Sequence, residues 1–113
     1  MKYRIWYSVR IPNPSEQLSS SEGSKTSEIF EFPNPINAGD TVYIDTTSPN
    51  RKESEMPRQL YLNVHVKSIF HKIDEHGKYT ELNASDEASD QRDLESKLDI
   101  AEGVFAALNK LWR

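Results

Sequence analysis

The chain contains no cysteine, and only 35% of its 113 residues are hydrophobic. Without cysteine neither a disulfide nor a thiolate metal site can form, which favours a reducing compartment such as the cytoplasm. No apolar run approaches the roughly 20 residues of a membrane-spanning helix, and the first ten residues lack the apolar stretch of a signal peptide. We therefore expect one soluble, cytoplasmic domain over residues 1–113.

The motifs of common catalytic sites are missing as well. The four glycines are scattered at positions 23, 39, 77 and 103, so no phosphate-binding loop is present. The patterns GxSxG and HExxH do not occur, and paired carboxylates such as Asp74–Glu75 lie in predicted turns. His65 and His71 are too far apart along a strand to bind one metal ion together. These absences predict a protein that is not an enzyme and has no metal and no cofactor.

Residues 2–11 alternate strictly between two kinds of side chain and predict a strand. The apolar set is expected to face the core, and comprises Tyr3, Ile5, Tyr7, Val9 and Ile11. The other set faces outward and places an aromatic ring among cations, as in sheets that bind single-stranded nucleic acid. The candidate nucleic-acid-binding residues are Lys2, Arg4, Trp6 and Arg10. Alternatively, the C-terminal helix or the serine-rich loop over residues 13–27 covers Trp6.

Residues 60–82 predict a long β-hairpin with its turn at 74–77. Apolar residues alternate from Leu60 to Val66, but Ile69 and Ile73 fall in the opposite phase. A one-residue slip exchanges the two faces of a strand, so we expect a β-bulge near residues 67–68 that restores the phase and bends the strand.

Two shorter strands and two polar loops complete the predicted sheet. The segments 28–32 (EIFEF) and 41–45 (TVYID) have the aromatic and β-branched content of strands, and they flank a corner rich in proline, asparagine and glycine. The segments 13–27 and 46–59 are polar, and the first of them is rich in serine. They predict mobile surface loops.

The residues from about 90 to 112 predict an amphipathic helix, in which Ser89 or Asp90 is the cap. Together the elements predict an α+β domain of order βββββα. Its sheet is a bent, antiparallel, five-stranded sheet or a small, partly open barrel, closed by the C-terminal helix.

The apolar stripe of this helix is broad, because a second row widens it on one flank. The second row contains Ile100, Val104 and Leu111, which are the candidate residues of a protein interface. A twisted sheet covering the whole stripe is the alternative. Homodimerisation through the helix or through an edge strand is the most natural use of any apolar excess.

The functional prediction is a small, non-catalytic accessory protein that binds another protein, of the kind that phages and mobile elements encode. The alternative is a single-stranded nucleic-acid-binding surface centred on Trp6. The net charge of −4 argues against the alternative as a non-specific activity.

Overall fold

The computed structural model describes residues 1–12, 22–46 and 60–111, with side chains as far as Leu108. In these residues the protein is α+β, a six-stranded, mostly antiparallel, open sheet with one C-terminal helix, which confirms the predicted fold class. The elements are β1 (Lys2–Arg10), β2 (Glu22–Thr26), β3 (Phe30–Glu31), β4 (Thr41–Asp45), β5 (Tyr61–Asp74), β6 (Gly77–Glu87) and α1 (Gln91–Leu111). The rest of the two predicted loops, residues 13–21 and 47–59, lies outside the described residues.

Strand β1 is an interior strand of the sheet, whose strand order is β2-β1-β6-β5-β4. One edge of β1 pairs with β6. The other edge pairs with β2 along residues 6–10 and with β3 at residues 2–3. The apolar row of β1 is buried as predicted, with at most 7% of any of these side chains exposed. Alternation along this strand therefore identified its inward face correctly.

The predicted hairpin is formed by β5 and β6, and the predicted bulge is present. The pairing of β5 with β6 shifts register between Val66 and Ser68, where one residue of β5 has no partner. On one side of the bulge, residues 61–65 pair with β4. On the other side, residues 68–74 pair with β6. The bulge thus lets one bent strand serve two neighbours, and it turns Ile69 partly into the core, whereas Ile73 is 78% exposed.

Two segments that were predicted as irregular are strands. Residues 22–26 fall within the predicted loop 13–27, yet they form β2 and pair with Trp6–Arg10. Residues 83–87 were predicted as a polar lead-in to the helix, yet they extend β6 and pair in parallel with β1 over residues 80–87. The sheet therefore has six strands rather than five, and one pair is parallel. In both segments the ladder to β1 outweighs a composition that is poor in strand-forming residues.

Helix α1 begins with the cap that the sequence predicts. The Asp90 carboxylate accepts the Asp93 N–H at 2.8 Å, and the Asp93 carboxylate accepts the Ser89 N–H at 2.9 Å. The first bond satisfies an N–H of the first turn that has no helical partner, and the second ties the residue before the cap to that turn. The helix packs against β2, β1 and β5 on the side where Ile5 and Val64 are buried. We call this side of the sheet the covered face.

The other side of the sheet, which we call the open face, carries the outward row of β1 and the residues paired with it. No helix among the described residues is long and apolar enough to cross a membrane.

Candidate functional site: the open face of the sheet

The centre of the open face is built by three adjacent strands. In the sheet, Arg4 of β1 and Phe70 of β5 both lie opposite Glu81 of β6. Side chains directly opposite each other in a sheet point to the same side, and so do alternate residues of one strand. The pairing therefore brings together six side chains on this face: Arg4, Trp6, Phe70, Lys72, Tyr79 and Glu81.

Two large apolar side chains at the centre of this face are exposed to solvent. Trp6 has 39% and Phe70 has 50% of its surface accessible. Tyr79, by contrast, is buried, and the central carbon of the Arg4 guanidinium lies 5.9 Å from the centre of its ring. Its hydroxyl donates to the Asp74 carboxylate at 2.7 Å, and this hydrogen bond holds the pKa of Asp74 below its ordinary value. The centre of the open face thus has a buried ring, that of Tyr79, and two exposed rings, those of Trp6 and Phe70.

Three cations of the open face contact other groups of the chain. Lys72 Nζ lies 2.9 Å from Glu81 Oε2, and this hydrogen bond raises the pKa of Lys72. Arg10 lies 4.0 Å from Glu87, a looser and more exposed pair. Arg4 Nε donates to the Ser27 carbonyl at 3.3 Å. Lys72 and Arg10 therefore have carboxylate partners, whereas Arg4 contacts an uncharged carbonyl group.

The four candidate nucleic-acid-binding residues share the open face, as the alternation of β1 predicts. Lys2, Trp6 and Arg10 are exposed, and Arg4 is half-buried. Neither α1 nor β2 covers Trp6, because α1 lies on the covered face and Thr26 of β2 is beside Trp6 in the ladder. The structure thus places these residues together, and among the described residues Arg10 is the one of their three cations with a carboxylate partner.

The predicted helix flank is not a continuous surface. Ile100 is 41% exposed, whereas Val104 is fully buried in the core cluster. Val104 was predicted as an interface residue, and this was wrong, because the helix is rotated so that the row through Val104 faces the sheet. Leu111 belongs to the helix, but its side chain lies outside the described part of the chain. Among the described side chains of this flank, Ile100 alone is available to a partner.

The three histidines lie apart in the structure. His65 is 3.0 Å from the Thr41 hydroxyl on β4, His71 is 3.2 Å from the Thr80 hydroxyl on β6, and His76 is at the hairpin turn. Within the described ranges, no group of three histidine, aspartate or glutamate residues could hold a metal ion.

Sequence reasoning missed Phe70, although the signal was present. Once a bulge at residues 67–68 turns Ile69 inward, the next residue must point outward. The bulge thus predicts that Phe70 points outward. Placing it on the same side as Trp6 also requires the strand order, because β6 separates their strands.

Comparison of this chain with protein-family models, with curated proteins and with solved structures found no match.

Proposed function

We propose that this chain is a non-catalytic domain that binds another protein through the open face of its sheet. The observation that carries the proposal is the exposure of Trp6 and Phe70 on the same face of the sheet, on the two strands that flank β6. Aromatic residues are enriched at the centres of protein interfaces, and they commonly contribute most of the binding energy. The partner that fits is a protein surface with apolar side chains opposite the two rings and little net charge.

The alternative function, binding of single-stranded nucleic acid, has less support. Sheets that bind nucleic acid combine stacking rings with cations that are free to contact phosphates. Here Trp6 and Phe70 offer the rings, but Lys72 and Arg10 are paired with carboxylates. Breaking the closer Lys72–Glu81 pair to make a phosphate contact would offset part of the gain.

The proposal is tested by comparing what four baits retain from an extract of the source cells. The baits are the unmodified chain, Trp6→Ala, Phe70→Ala and Ile73→Ser. Ile73 is a matched control, because it is an exposed apolar residue on the same hairpin but points away from the open face. We expect a protein that the unmodified chain and Ile73→Ser retain and that both aromatic variants lose. Calorimetry with that purified protein should then show at least a tenfold weaker affinity for each aromatic variant.

Equal retention by all four baits would contradict the use of the open face. The alternative function is tested by measuring the affinity of the chain for a labelled oligothymidine of about 20 nucleotides. For a nucleic-acid binder, this affinity should fall steeply with salt and be lost in Trp6→Ala. That result would overturn the proposal in favour of the alternative.

The predicted cytoplasmic location and the predicted homodimer both stay predictions. The first rests on composition, and the second on Ile100 and on the edge strands of the sheet. Light scattering with in-line size exclusion measures the oligomeric state directly.

A further inference from the structure

A second surface, separate from the open face, lies along the outer edge of β4. This strand ends the sheet on one side, and among the described strands only β5 pairs with it. Beside it is an open cavity of about 370 Å³, lined mainly by Phe30, Phe32, Val42, Ile44 and Leu108. Two of these side chains come from the segment around β3 and one from α1, so three parts of the chain meet at an apolar groove next to a strand edge.

The hydrogen bonds to β5 show which backbone groups of β4 point outward. The Thr46 N–H donates to the Leu60 carbonyl at 2.8 Å, and the Val66 N–H donates to the Asp40 carbonyl at 2.9 Å. In an antiparallel ladder such bonded pairs recur at every second residue. Val42 and Ile44 therefore bond to β5, and the N–H and C=O of Tyr43 point away from it.

We infer that this edge and its groove form a site for β-strand addition, which takes an extended segment of a partner protein with apolar side chains at alternating positions. The backbone of such a segment pairs with the outward groups of Tyr43. Its side chains opposite Val42 and Ile44 point to the covered face, where the groove lies. The volume of the groove suits one or two aliphatic or aromatic side chains.

A second copy of this chain fits the groove poorly. If two β4 strands paired with each other about Tyr43, each copy would present its own Val42 and Ile44 to the other's groove. Ile44 is only 8% exposed and is packed in its own core. It cannot leave that core to fill a neighbour, so most of the groove would stay empty. A segment from a different protein has no such constraint.

The probe is an acetylated and amidated peptide of sequence KTVTVTVK, titrated into the full chain labelled with ¹⁵N. We expect saturable shifts of the Tyr43 and Ile44 amide signals. Two N-methylated peptides, one modified on its valines and one on its threonines, remove the N–H groups of alternate residues. In strand addition one modified peptide should lose at least tenfold in affinity, while the other stays within about threefold of the parent, because alternate N–H groups face opposite edges.

A matched pair of variants tests the same edge on the protein. Tyr43→Pro and Tyr43→Thr both remove the ring, but only proline removes the outward N–H, which the ladder to β5 does not use. We expect Tyr43→Thr to keep peptide binding and Tyr43→Pro to weaken it at least tenfold. If Tyr43→Pro fails to fold, the N-methylated peptides still decide the question.

Three outcomes would overturn the inference. One is the absence of saturable shifts at β4, and another is equal binding by the parent and both N-methylated peptides. The third is light scattering in which the unmodified chain is a dimer and Tyr43→Pro is a monomer, since this edge would then belong to a second copy. The inference does not depend on the open face, whose test uses other residues, so either can fail without the other.

Discussion

Substituting Gly23 by alanine tests the contact between β2 and the helix. Gly23 lies on the covered face, and a Cβ atom built on it would be 2.6 Å from Leu98 Cδ1 of α1. Carbon atoms in contact are separated by about 3.5–4.0 Å, so this methyl group would overlap Leu98 by about 1 Å. Gly23→Ala therefore forces the Leu98 side chain, or the helix, to move.

Two effects of opposite sign contribute to the change in stability. Overpacking costs about 1–3 kcal/mol, and we take about 1.5 kcal/mol because the clashing atom is a terminal methyl of a half-buried side chain. Replacing glycine by alanine in an extended strand restricts the unfolded chain, which stabilises the fold by about 0.5 kcal/mol. The expected net result is a loss of about 1 kcal/mol.

The sign should reverse when Leu98 is shortened. In a Leu98→Ala background the clash is gone, so Gly23→Ala should stabilise the protein by about 0.5 kcal/mol. The four proteins to compare are the unmodified chain, Gly23→Ala, Leu98→Ala and the double variant. Their urea unfolding, followed by tryptophan fluorescence, measures the coupling between the two positions as a double-mutant cycle. Gly77→Ala is a useful control: its φ of +93° penalises alanine, and no atom lies within 4 Å of the added Cβ, so its cost should not depend on Leu98.

An equal effect of Gly23→Ala in both backgrounds would refute this reasoning. It would mean that β2 does not lie against α1 at this position, and hence that the strand added to the sheet by residues 22–26 is misplaced.

Two further predictions concern the helix. Val104→Ala should cost about 2 kcal/mol, because it leaves a cavity in the core, whereas Ile100→Ala should change the free energy of unfolding by less than about 0.5 kcal/mol; similar costs in urea unfolding would contradict the rotation of the helix. The pKa of Asp93 is lowered, first by the Ser89 N–H and then by Lys97. The stability that Asp93 contributes is thus complete above its ordinary pKa of 3.8 and is lost as the pH falls through the lower, folded value. Melting temperatures of the unmodified chain and Asp93→Asn should differ near pH 7 and converge near pH 2, and a constant difference would count against the bond to Ser89.

Local patterns determined the strands and the helix whose side chains repeat with a clear period. The alternation along residues 2–11 identified the inward and outward rows of β1, but it left open whether another element covers Trp6. The phase slip after Val66 identified the bulge, because a strand with one buried face cannot change phase without an extra residue. The apolar stripe of α1 was predicted from its helical period, and its cap from the residue types at Ser89 and Asp90.

Segments whose structure depends on a distant partner could not be predicted. Residues 22–26 and 83–87 have little apolar content, and they are strands because β1 offers a free edge to each. A hydrogen-bond ladder of this kind is made with backbone groups, which every residue carries. Composition therefore gave no indication of it.

What the sequence by itself determined is which side chains of each periodic element share a face. Only the tertiary structure decided what meets that face. It buried Val104 but left Ile100 exposed, because the docking of a helix fixes its rotation. It placed Phe70 near Trp6, because their strands flank β6, and it opened a groove beside β4, because residues far apart in the chain converge there. Periodicity is a local property of the chain, whereas neighbourhood in space is set by the packing of the whole fold.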